Sequence, residues 1–186
     1  MEKRQENFIC LGIVGQSGSG KTELAKALLG LKTINGMEVY MPISHTSRNI
    51  RSGEEDKKDY FFKDKSYFEE NKSDFYELVE FAGNYYGLHK DSIKPGLNVI
   101  VIEPAGYCQI EDLIGDKLKG ILLTTTKAKE RMLLRGDSSD SIDSRLSFDD
   151  IEERAKEISF NLKINTDVLT KKEVFEYVLG RLNDFL

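Results

Sequence analysis

Residues 8–30 read FICLGIVGQSGSGKTELAKALLG, and this stretch decides the fold. The nearly continuous apolar run at 8–14 is typical of a short strand covered on both faces, as in a parallel sheet. The apolar positions of 24–29 share one helical face, and Gly30 supplies a helix stop. Strand, loop and helix in this order predict the opening of an α/β fold.

The loop between that strand and that helix carries a phosphate-binding pattern. Residues 15–22, GQSGSGKT, satisfy G-x-x-x-x-G-K-[ST], and the flanking elements argue against a chance glycine-rich turn. Such glycines let successive backbone N–H groups point at phosphate oxygens, and the helix start adds its positive end. We expect Lys21 to reach the β- and γ-phosphates and the Thr22 hydroxyl to ligate Mg²⁺. The residues predicted to bind the triphosphate are Gly15, Ser17, Gly18, Ser19, Gly20, Lys21 and Thr22.

Short apolar runs and helical periodicities continue the pattern downstream. Further strands are predicted at 39–43, 98–103, 120–124 and 162–164. Further helices are predicted at 127–134, 147–160 and 171–186, with a polar loop at 136–141. Between 44 and 92 charged and aromatic residues dominate, which indicates an inserted subdomain with short strands and a small aromatic core.

Length and composition restrict the class of protein. The chain has 186 residues, enough for one compact domain with small inserts, and its formal net charge is −5. Acidic and basic residues are interleaved, so the basic face of a nucleic-acid-binding protein is missing. The polar start differs from a targeting peptide, no apolar run could span a bilayer, and Cys10, Cys108 and the two histidines form no zinc pattern. We expect a cytoplasmic protein with small-molecule partners, no nucleic acid and no membrane, and of open oligomeric state.

A second phosphate site is suggested by the segment 44–54, SHTSRNIRSGE. Arg48 and Arg51 lie three apart among hydroxyl side chains and can fork onto one dianionic phosphate. Two arginines alone fit a solvated charged loop equally well. The motifs that follow favour the phosphate site, namely DYFF with Tyr60, FYE with Glu77, and GNYYG.

With these motifs the sequence resembles the guanylate kinase family. That family carries a phosphate loop, then S-H-T-T-R-x-P-R-x-G-E, G-x-D-Y-x-F, E-F-x-E and G-N-Y-Y-G. This chain has GQSGSGKT, SHTSRNIRSGE, KDYFF, DFYE and GNYYG in the same order. An arginine-rich helix and lid are matched by KERMLLRGDSSDSIDSRL, and an Asn-Asp tail by INTD. The resemblance therefore covers almost the whole chain, and ordered motifs are more specific than a phosphate loop alone.

The resemblance implies an α/β fold of the P-loop nucleoside monophosphate (NMP) kinase type. Its parallel central sheet is flanked by helices, and the chain forms a single domain. The expected parts are a core at 1–43, 93–134 and 148–186, an NMP-binding insert at 44–92 and a lid at 135–147.

The resemblance also assigns residues to an acceptor site for GMP. The residues that resemble the family's phosphate-holding set are Ser44, Arg48, Arg51, Tyr60 and Tyr86. Glu77 resembles the carboxylate that accepts hydrogen bonds from the guanine N1–H and 2-amino groups. One carboxylate can take both donors, whereas adenine offers no such donors on that edge.

On the donor side the resemblance points to a cluster of cations. Arg131, Arg135 and Arg145 resemble the arginines that converge on the transferring phosphoryl group, together with Lys21 and Mg²⁺. Asn165 sits where the family contacts the adenine of ATP. A phosphate dianion is already a competent nucleophile, so no general base is expected. The alternative for the first two arginines is a pair of surface ion pairs with neighbouring acids.

Three departures from the family pattern bear on acceptor choice. Leu88 follows GNYYG where the family has Thr or Ser, so one group that reads the guanine edge is lost. Val101 replaces the first acid of D-I-D-x-Q-G, while Glu103 keeps the second and is a candidate for either the monophosphate site or the magnesium shell. Ile50 replaces a proline between the two arginines, which loosens that turn.

The sequence thus predicts transfer of the γ-phosphoryl group of ATP to GMP or dGMP, giving ADP and GDP or dGDP. Because of Leu88, we expect weaker selectivity than in a housekeeping enzyme. One alternative is a kinase for another nucleotide or a sugar phosphate. The other is a guanylate-kinase-like binding module without catalysis, although such modules tend to lose the phosphate loop that this chain keeps.

Overall fold

The computed structural model of the chain describes residues 7–51, 53–81, 83–148 and 151–186. The strands in these ranges are β1 (Phe8–Gly15), β2 (Thr33–Ile34), β3 (Met37–Tyr40), β4 (His45–Thr46), β5 (Phe61–Phe62), β6 (Phe75–Phe81), β7 (Asn84–His89), β8 (Gly96–Val101), β9 (Leu118–Thr124) and β10 (Leu162–Asn165). The α-helices are α1 (Lys21–Gly30), α2 (Lys65–Glu70), α3 (Pro104–Ile114), α4 (Ala128–Leu134), α5 (Ser139–Phe148), α6 (Ile151–Arg154) and α7 (Lys171–Leu182).

The central sheet has the strand order β10-β9-β1-β8-β3-β2. Its first five strands pair in parallel, and the short β2 pairs antiparallel with β3. β1 lies between β8 and β9, with Gly12 opposite both Ile100 and Gly120. In a parallel sheet the loops that follow the strands meet at one edge, so the phosphate loop lies beside the loop that follows β9.

Helices cover both faces of this sheet and enclose two apolar clusters. On one face α1 and α7 bury residues such as Leu28 and Val178 against the strands. On the other face α3 and α6 bury Tyr107, Ile110 and Ile151. Burial on both faces explains why β1, β8 and β9 read as continuous apolar runs, and it confirms the predicted α/β class.

A second sheet, β5-β4-β7-β6, is formed by the part of the chain that lies between β3 and β8. Aromatic rings pack along it, and Phe68 and Phe75 are buried with ring centroids 5.5 Å apart. His45 stacks on Phe61 at 4.7 Å and is 6% exposed. This burial, with smaller effects from His89 and Lys63, lowers the pKa of His45 to about 4, so the ring is neutral near pH 7. The second sheet and its buried aromatic cluster support the loops that connect its strands.

Some predicted element bounds were wrong. The helix predicted at 147–160 is interrupted, since α5 ends at Phe148 and α6 spans only Ile151–Arg154. After α6 the backbone changes to i→i+3 turns, such as Ile158 N–H to Ala155 C=O at 3.2 Å, which seat Ile158 in the core. The polar loop predicted at 136–141 overlaps the start of α5, because Ile142 packs on the apolar face of α4. Asp149 and Asp150 lie outside the described residues.

None of the helices in the described ranges is long and apolar enough to cross a membrane.

Candidate active site

The phosphate loop leaves β1 in a conformation that requires glycine. A Cβ at Gly15 would lie 2.3 Å from the Leu123 carbonyl oxygen, so a larger residue would push β1 and β9 apart. Gly20, the residue that precedes α1, has φ 98°, a left-handed conformation that glycine adopts without strain. The loop therefore turns sharply onto the helix start, where the first N–H groups of α1 are available to an anion.

Polar groups of the loop converge on its own carbonyls and on the loop after β9. The Lys21 ammonium donates to the carbonyl oxygens of Gly15 and Gln16, the second at 2.9 Å. The Gln16 amide donates to the Thr125 carbonyl. Ser19 is 1% exposed, and its hydroxyl has no hydrogen-bond partner within the described part of the chain. A buried donor that the protein does not satisfy fits a loop that takes up a ligand.

A cleft of about 1020 Å³ opens beside the loop. Its walls are the phosphate loop, the start of α1, the end of α4 and the start of α7. Thr22, Arg131 and Arg135 line it, so the structure brings three predicted donor-site residues to one cavity.

The same cleft fits a magnesium ion that is bound mainly through a nucleotide. In the described ranges no three His, Cys, Asp or Glu side chains gather into a metal cluster. Mg²⁺ in kinase sites takes one or two protein ligands and completes its shell with phosphates and water. The exposed Thr22 hydroxyl at the first turn of α1 offers one such ligand.

Arg131 connects the phosphate loop with the loop that follows β10. One Nη donates to the Thr166 hydroxyl at 2.8 Å and to the Gly18 carbonyl at 3.2 Å. The other donates to the Thr166 carbonyl at 2.6 Å. Arg131 is thus held over the phosphate loop by neutral acceptors, with the Asp167 carboxylate 3.9 Å away, rather than by the surface ion pair that was the alternative.

Arg135, one residue beyond α4, does form a surface ion pair with Asp137. Hydrogen bonds to that carboxylate raise the pKa of Arg135, and half of the side chain remains exposed. Exposed ion pairs of this kind stabilise little, so a phosphate can replace Asp137 at low cost. The side chain of Arg145, the third predicted arginine, lies outside the described residues.

Asp167 belongs to this site, although sequence analysis did not single it out. Its carboxylate accepts from the Thr125 hydroxyl, from the Thr126 N–H at 2.9 Å and from the Thr126 hydroxyl at 2.8 Å. These hydrogen bonds lower the pKa of Asp167 to about 2. The carboxylate thereby fixes the loop after β10 against the loop after β9. Asn165, predicted to contact adenine, is exposed, and its amide oxygen accepts the Asp167 N–H at 2.8 Å.

On the second sheet, part of the predicted acceptor set comes together around Arg48. Its guanidinium carbon lies 5.5 Å from the centre of the Tyr60 ring, and the Tyr60 and Tyr86 rings are 6.3 Å apart. Arg51 is exposed, and its backbone N–H donates to Glu54 at 2.8 Å. Ser44 is half-buried just before β4, where its carbonyl accepts the Phe61 N–H at 2.9 Å. The structure therefore assembles one guanidinium and two phenols at a single place.

Glu77 lies on the neighbouring strand, under the start of α3. A Cβ at Gly106 would lie 3.1 Å from the Glu77 Oε2, so glycine lets α3 pack directly on the carboxyl group. Burial, and then the nearby Glu103 carboxylate, raise the pKa of Glu77 to about 7. Leu88, the departure noted after GNYYG, is opposite Glu77 in the ladder and fully buried in the core.

Register places Glu77 and Tyr86 on one face of the second sheet. Val79 is the partner of Tyr86, and Glu77 lies two residues before Val79 on β6. Side chains two apart on a strand share a face, and such diagonal neighbours lie about 7–8 Å apart. The Glu77 carboxyl group and Tyr86 of the predicted phosphate site therefore lie on the same face of the second sheet, at a separation that a nucleotide can span. Residues of this sheet do not line the donor cleft, whose walls come from the central fold.

The sequence is similar to known families and structures. The model of one protein family, Guanylate kinase, matches residues 9–102. The guanylate kinase of Prochlorococcus marinus subsp. pastoris is 35% identical over 145 residues, which are 73% of this chain and 77% of that protein. The guanylate kinase of Psychrobacter arcticus is 35% identical over 165 residues, 83% of this chain and 77% of that protein.

A solved structure has the same fold. The crystal structure of guanylate kinase from Anaplasma phagocytophilum matches 97% of this chain and 87% of that chain, with a TM-score of 0.67 at 17% sequence identity. This likeness confirms the predicted nucleoside monophosphate kinase fold. By the family match and the two sequence relatives, the chain belongs to the guanylate kinase family.

Proposed function

We propose that the chain transfers the γ-phosphoryl group of ATP to GMP or dGMP, forming ADP and GDP or dGDP. The observation that carries this proposal is the pairing of two sites in one molecule. An intact phosphate loop lines the cleft, and the second sheet presents Arg48, Tyr60 and Tyr86 on the side of a desolvated Glu77 carboxyl. A scaffold module would need neither the complete loop nor the arginines around it.

ATP binds in the cleft of the central fold. The N–H groups of residues 15–22 and the Lys21 ammonium hold its phosphates. The Thr22 hydroxyl would supply one ligand to Mg²⁺. Mg²⁺ bound there would neutralise charge on the phosphate oxygens. Lys21 exchanges its two backbone carbonyl acceptors for phosphate oxygens, so the same side chain is satisfied before and after binding. Adenine lies toward the end of β10, where Asn165 is the last residue of the strand.

The acceptor binds along the second sheet. Its phosphate is held by Ser44, Arg48, Arg51, Tyr60 and Tyr86. The ionised Glu77 carboxylate accepts the guanine N1–H and 2-amino donors, while Glu103 stands beside it at the start of α3. Leu88 is fully buried and offers no hydrogen bond. Of Glu77 and Leu88, only Glu77 therefore recognises this part of the base.

Transfer requires that the two sites approach each other. We assign this movement to the insert at 44–92 and the lid at 135–147, which close on the core formed by 1–43, 93–134 and 148–186. Lys21, Arg131, Arg135 and Arg145 then surround the transferring group, where water is excluded and charge stabilisation is strongest.

The two cysteines, Cys10 and Cys108, are both free, which fits a reducing cytoplasm.

The acceptor is tested by an ADP-release assay with Mg-ATP and a panel of monophosphates. We expect turnover with GMP and dGMP, and weak turnover with AMP, CMP and UMP. Because Leu88 cannot hydrogen-bond, only Glu77 is left to recognise the base edge. Replacement Leu88→Thr should lower the AMP rate relative to the GMP rate. Equal turnover of AMP and GMP by the wild-type protein would contradict guanine recognition. Turnover of a ribose phosphate alone would move the acceptor to a sugar, and silence with every acceptor would favour a binding module.

The raised pKa of Glu77 predicts a pH dependence. Only the ionised carboxylate accepts both guanine donors, so kcat/KM for GMP should rise as the pH increases through about 7. The acceptor phosphate itself titrates near pH ~6. We therefore measure the profile relative to Glu77→Gln, which retains the phosphate titration and lacks the carboxyl. A ratio of the two profiles that is flat between pH 5.5 and 8.5, about one and a half units on each side, contradicts the assignment.

A further inference from the structure

Glu54, which the proposed mechanism does not use, makes the main contacts of Arg48. Its Oε2 accepts from the Arg48 Nη1 at 2.9 Å, and its Oε1 accepts from Nη2 at 2.8 Å. The same Oε2 accepts the Arg51 N–H at 2.8 Å. The two side chains are mostly buried, with 12% of Arg48 and 21% of Glu54 exposed. One carboxylate therefore holds both arginine positions of the predicted phosphate site.

The guanidinium has a defined number of donors, and they can be assigned. Of its five N–H groups, two bind Glu54 and a third, on Nη1, binds the Asn49 carbonyl at 2.7 Å. The two that remain are on Nε and Nη2 and form the other planar edge of the guanidinium. Hydrogen bonds from Glu54, with a smaller contribution from the nearby Tyr86, raise the pKa of Arg48. Tyr60 and Tyr86 belong to the predicted phosphate set, so Arg48 lies beside the proposed acceptor site.

Among the described residues, Glu54 gives the Arg48 guanidinium two hydrogen bonds and the Asn49 carbonyl gives it one. The guanidinium lies 5.5 Å from the Tyr60 ring centre and 5.7 Å from that of Phe62, contacts that restrict its tilt but not its rotation in the plane. Ile50, between the two arginines, is half-exposed and does not restrict the backbone as a proline does. Orientation in the plane therefore depends mainly on the two parallel hydrogen bonds to Glu54, to which the Asn49 carbonyl adds a third.

We propose that Glu54 is a positioning residue, which holds Arg48 by one edge so that its other edge is presented to the phosphate of the acceptor. This inference rests on the proposed acceptor site and adds a residue to it. Glu54 does not compete with the phosphate, because carboxylate and phosphate use different edges of the guanidinium. Its loss leaves Arg48 charged but with the Asn49 carbonyl as its one remaining acceptor in the described residues, and weakens acceptor binding through Arg48.

The test compares Glu54→Gln with Glu55→Gln in the ADP-release assay. Glu55 is the adjacent acid. Among the described residues, its carboxylate forms an ion pair only with the exposed Lys58. We expect Glu54→Gln to raise KM for GMP about 10- to 100-fold, the usual effect of losing a hydrogen bond between charged groups. KM for ATP should change little, and Glu55→Gln should match the wild type. The unfolding midpoint of Glu54→Gln should fall without preventing folding, because its ion pair with Arg48 is mostly buried. Glu54→Asp, which keeps the charge, should recover part of the loss.

A double-mutant cycle with Arg48→Ala shows whether Glu54 acts through Arg48. In that background Glu54→Gln should have no further effect on KM for GMP. An undiminished effect there, a KM for GMP within twofold of wild type in Glu54→Gln, or a lowered KM overturns the inference. Failure of the proposed function looks different, since wild-type protein would then leave GMP unphosphorylated. In that case the same variants are measured with the acceptor that is turned over, because Arg48 meets the phosphate and not the base.

Discussion

Replacement of Lys21 by alanine should lower kcat about a hundredfold to a thousandfold, which is the usual effect of removing one preorganised donor from developing charge. Lys21 is the cation of the phosphate loop, and its ammonium donates to the Gly15 and Gln16 carbonyls. Gln16 lines the cleft, so water can replace the ammonium at that carbonyl. The fold should therefore survive, and GMP binding, measured by calorimetry, should stay at the wild-type value.

The matched control is Lys26→Ala. Lys26 is exposed on the same helix and does not line the cleft, so its loss changes net charge equally without touching the site. Both variants are assayed for ADP release and for thermal unfolding. A Lys21→Ala protein that keeps more than a tenth of the wild-type kcat would show that the loop does not act in transfer. If the wild-type protein is inactive and a partner protein still binds after Lys21→Ala, the chain is a binding module without catalysis.

Replacement of Glu77 by glutamine should lower kcat/KM for GMP about a hundredfold or more. Glutamine presents one carbonyl oxygen and one NH₂ group, so it cannot accept two guanine donors, and its own donor faces one of them. Each hydrogen bond to a charged group contributes about 1.5–3 kcal/mol, and two are affected. The rate with AMP should change far less, which makes the ratio of GMP to AMP rates the decisive measurement. Glu80→Gln, at an exposed position on the same strand, is the control.

The same variant has an expected effect on stability with a definite sign. In the folded protein the pKa of Glu77 is raised from 4.5 to about 7. Between these values the folded state binds more protons than the unfolded state, so this group makes stability fall as the pH rises. Glu77→Gln removes that contribution, and its unfolding midpoint should equal the wild-type value at pH 4 and exceed it at pH 8. A midpoint lower than wild type at pH 8 would mean that the ionised carboxylate stabilises the fold.

Local patterns in the sequence predicted the strand, loop and helix of residues 8–30 well, and the physical reason is that these parts are contiguous. The strand, the glycines and the helix start lie within 8–30, so their geometry depends on neighbours in the chain. Periodicity failed over 136–160, where polar residues can start or end a helix with equal ease. There, packing of Ile142 on α4 and of Ile158 in the core decided the boundaries.

By itself, the sequence determined the α/β class, the phosphate-loop pattern and, through its ordered motifs, the kinase family, and it predicted a set of acceptor residues. Only the tertiary structure decided what those residues touch. Arg131 meets Thr166, Asp167 meets Thr125, and Glu77 meets the start of α3, contacts between residues 29 to 42 positions apart. Such contacts depend on strand register and helix packing, which arise from the whole core and have no local sequence signature. The environment that raises the pKa of Glu77 is created in the same way, by burial under a helix that lies far along the chain.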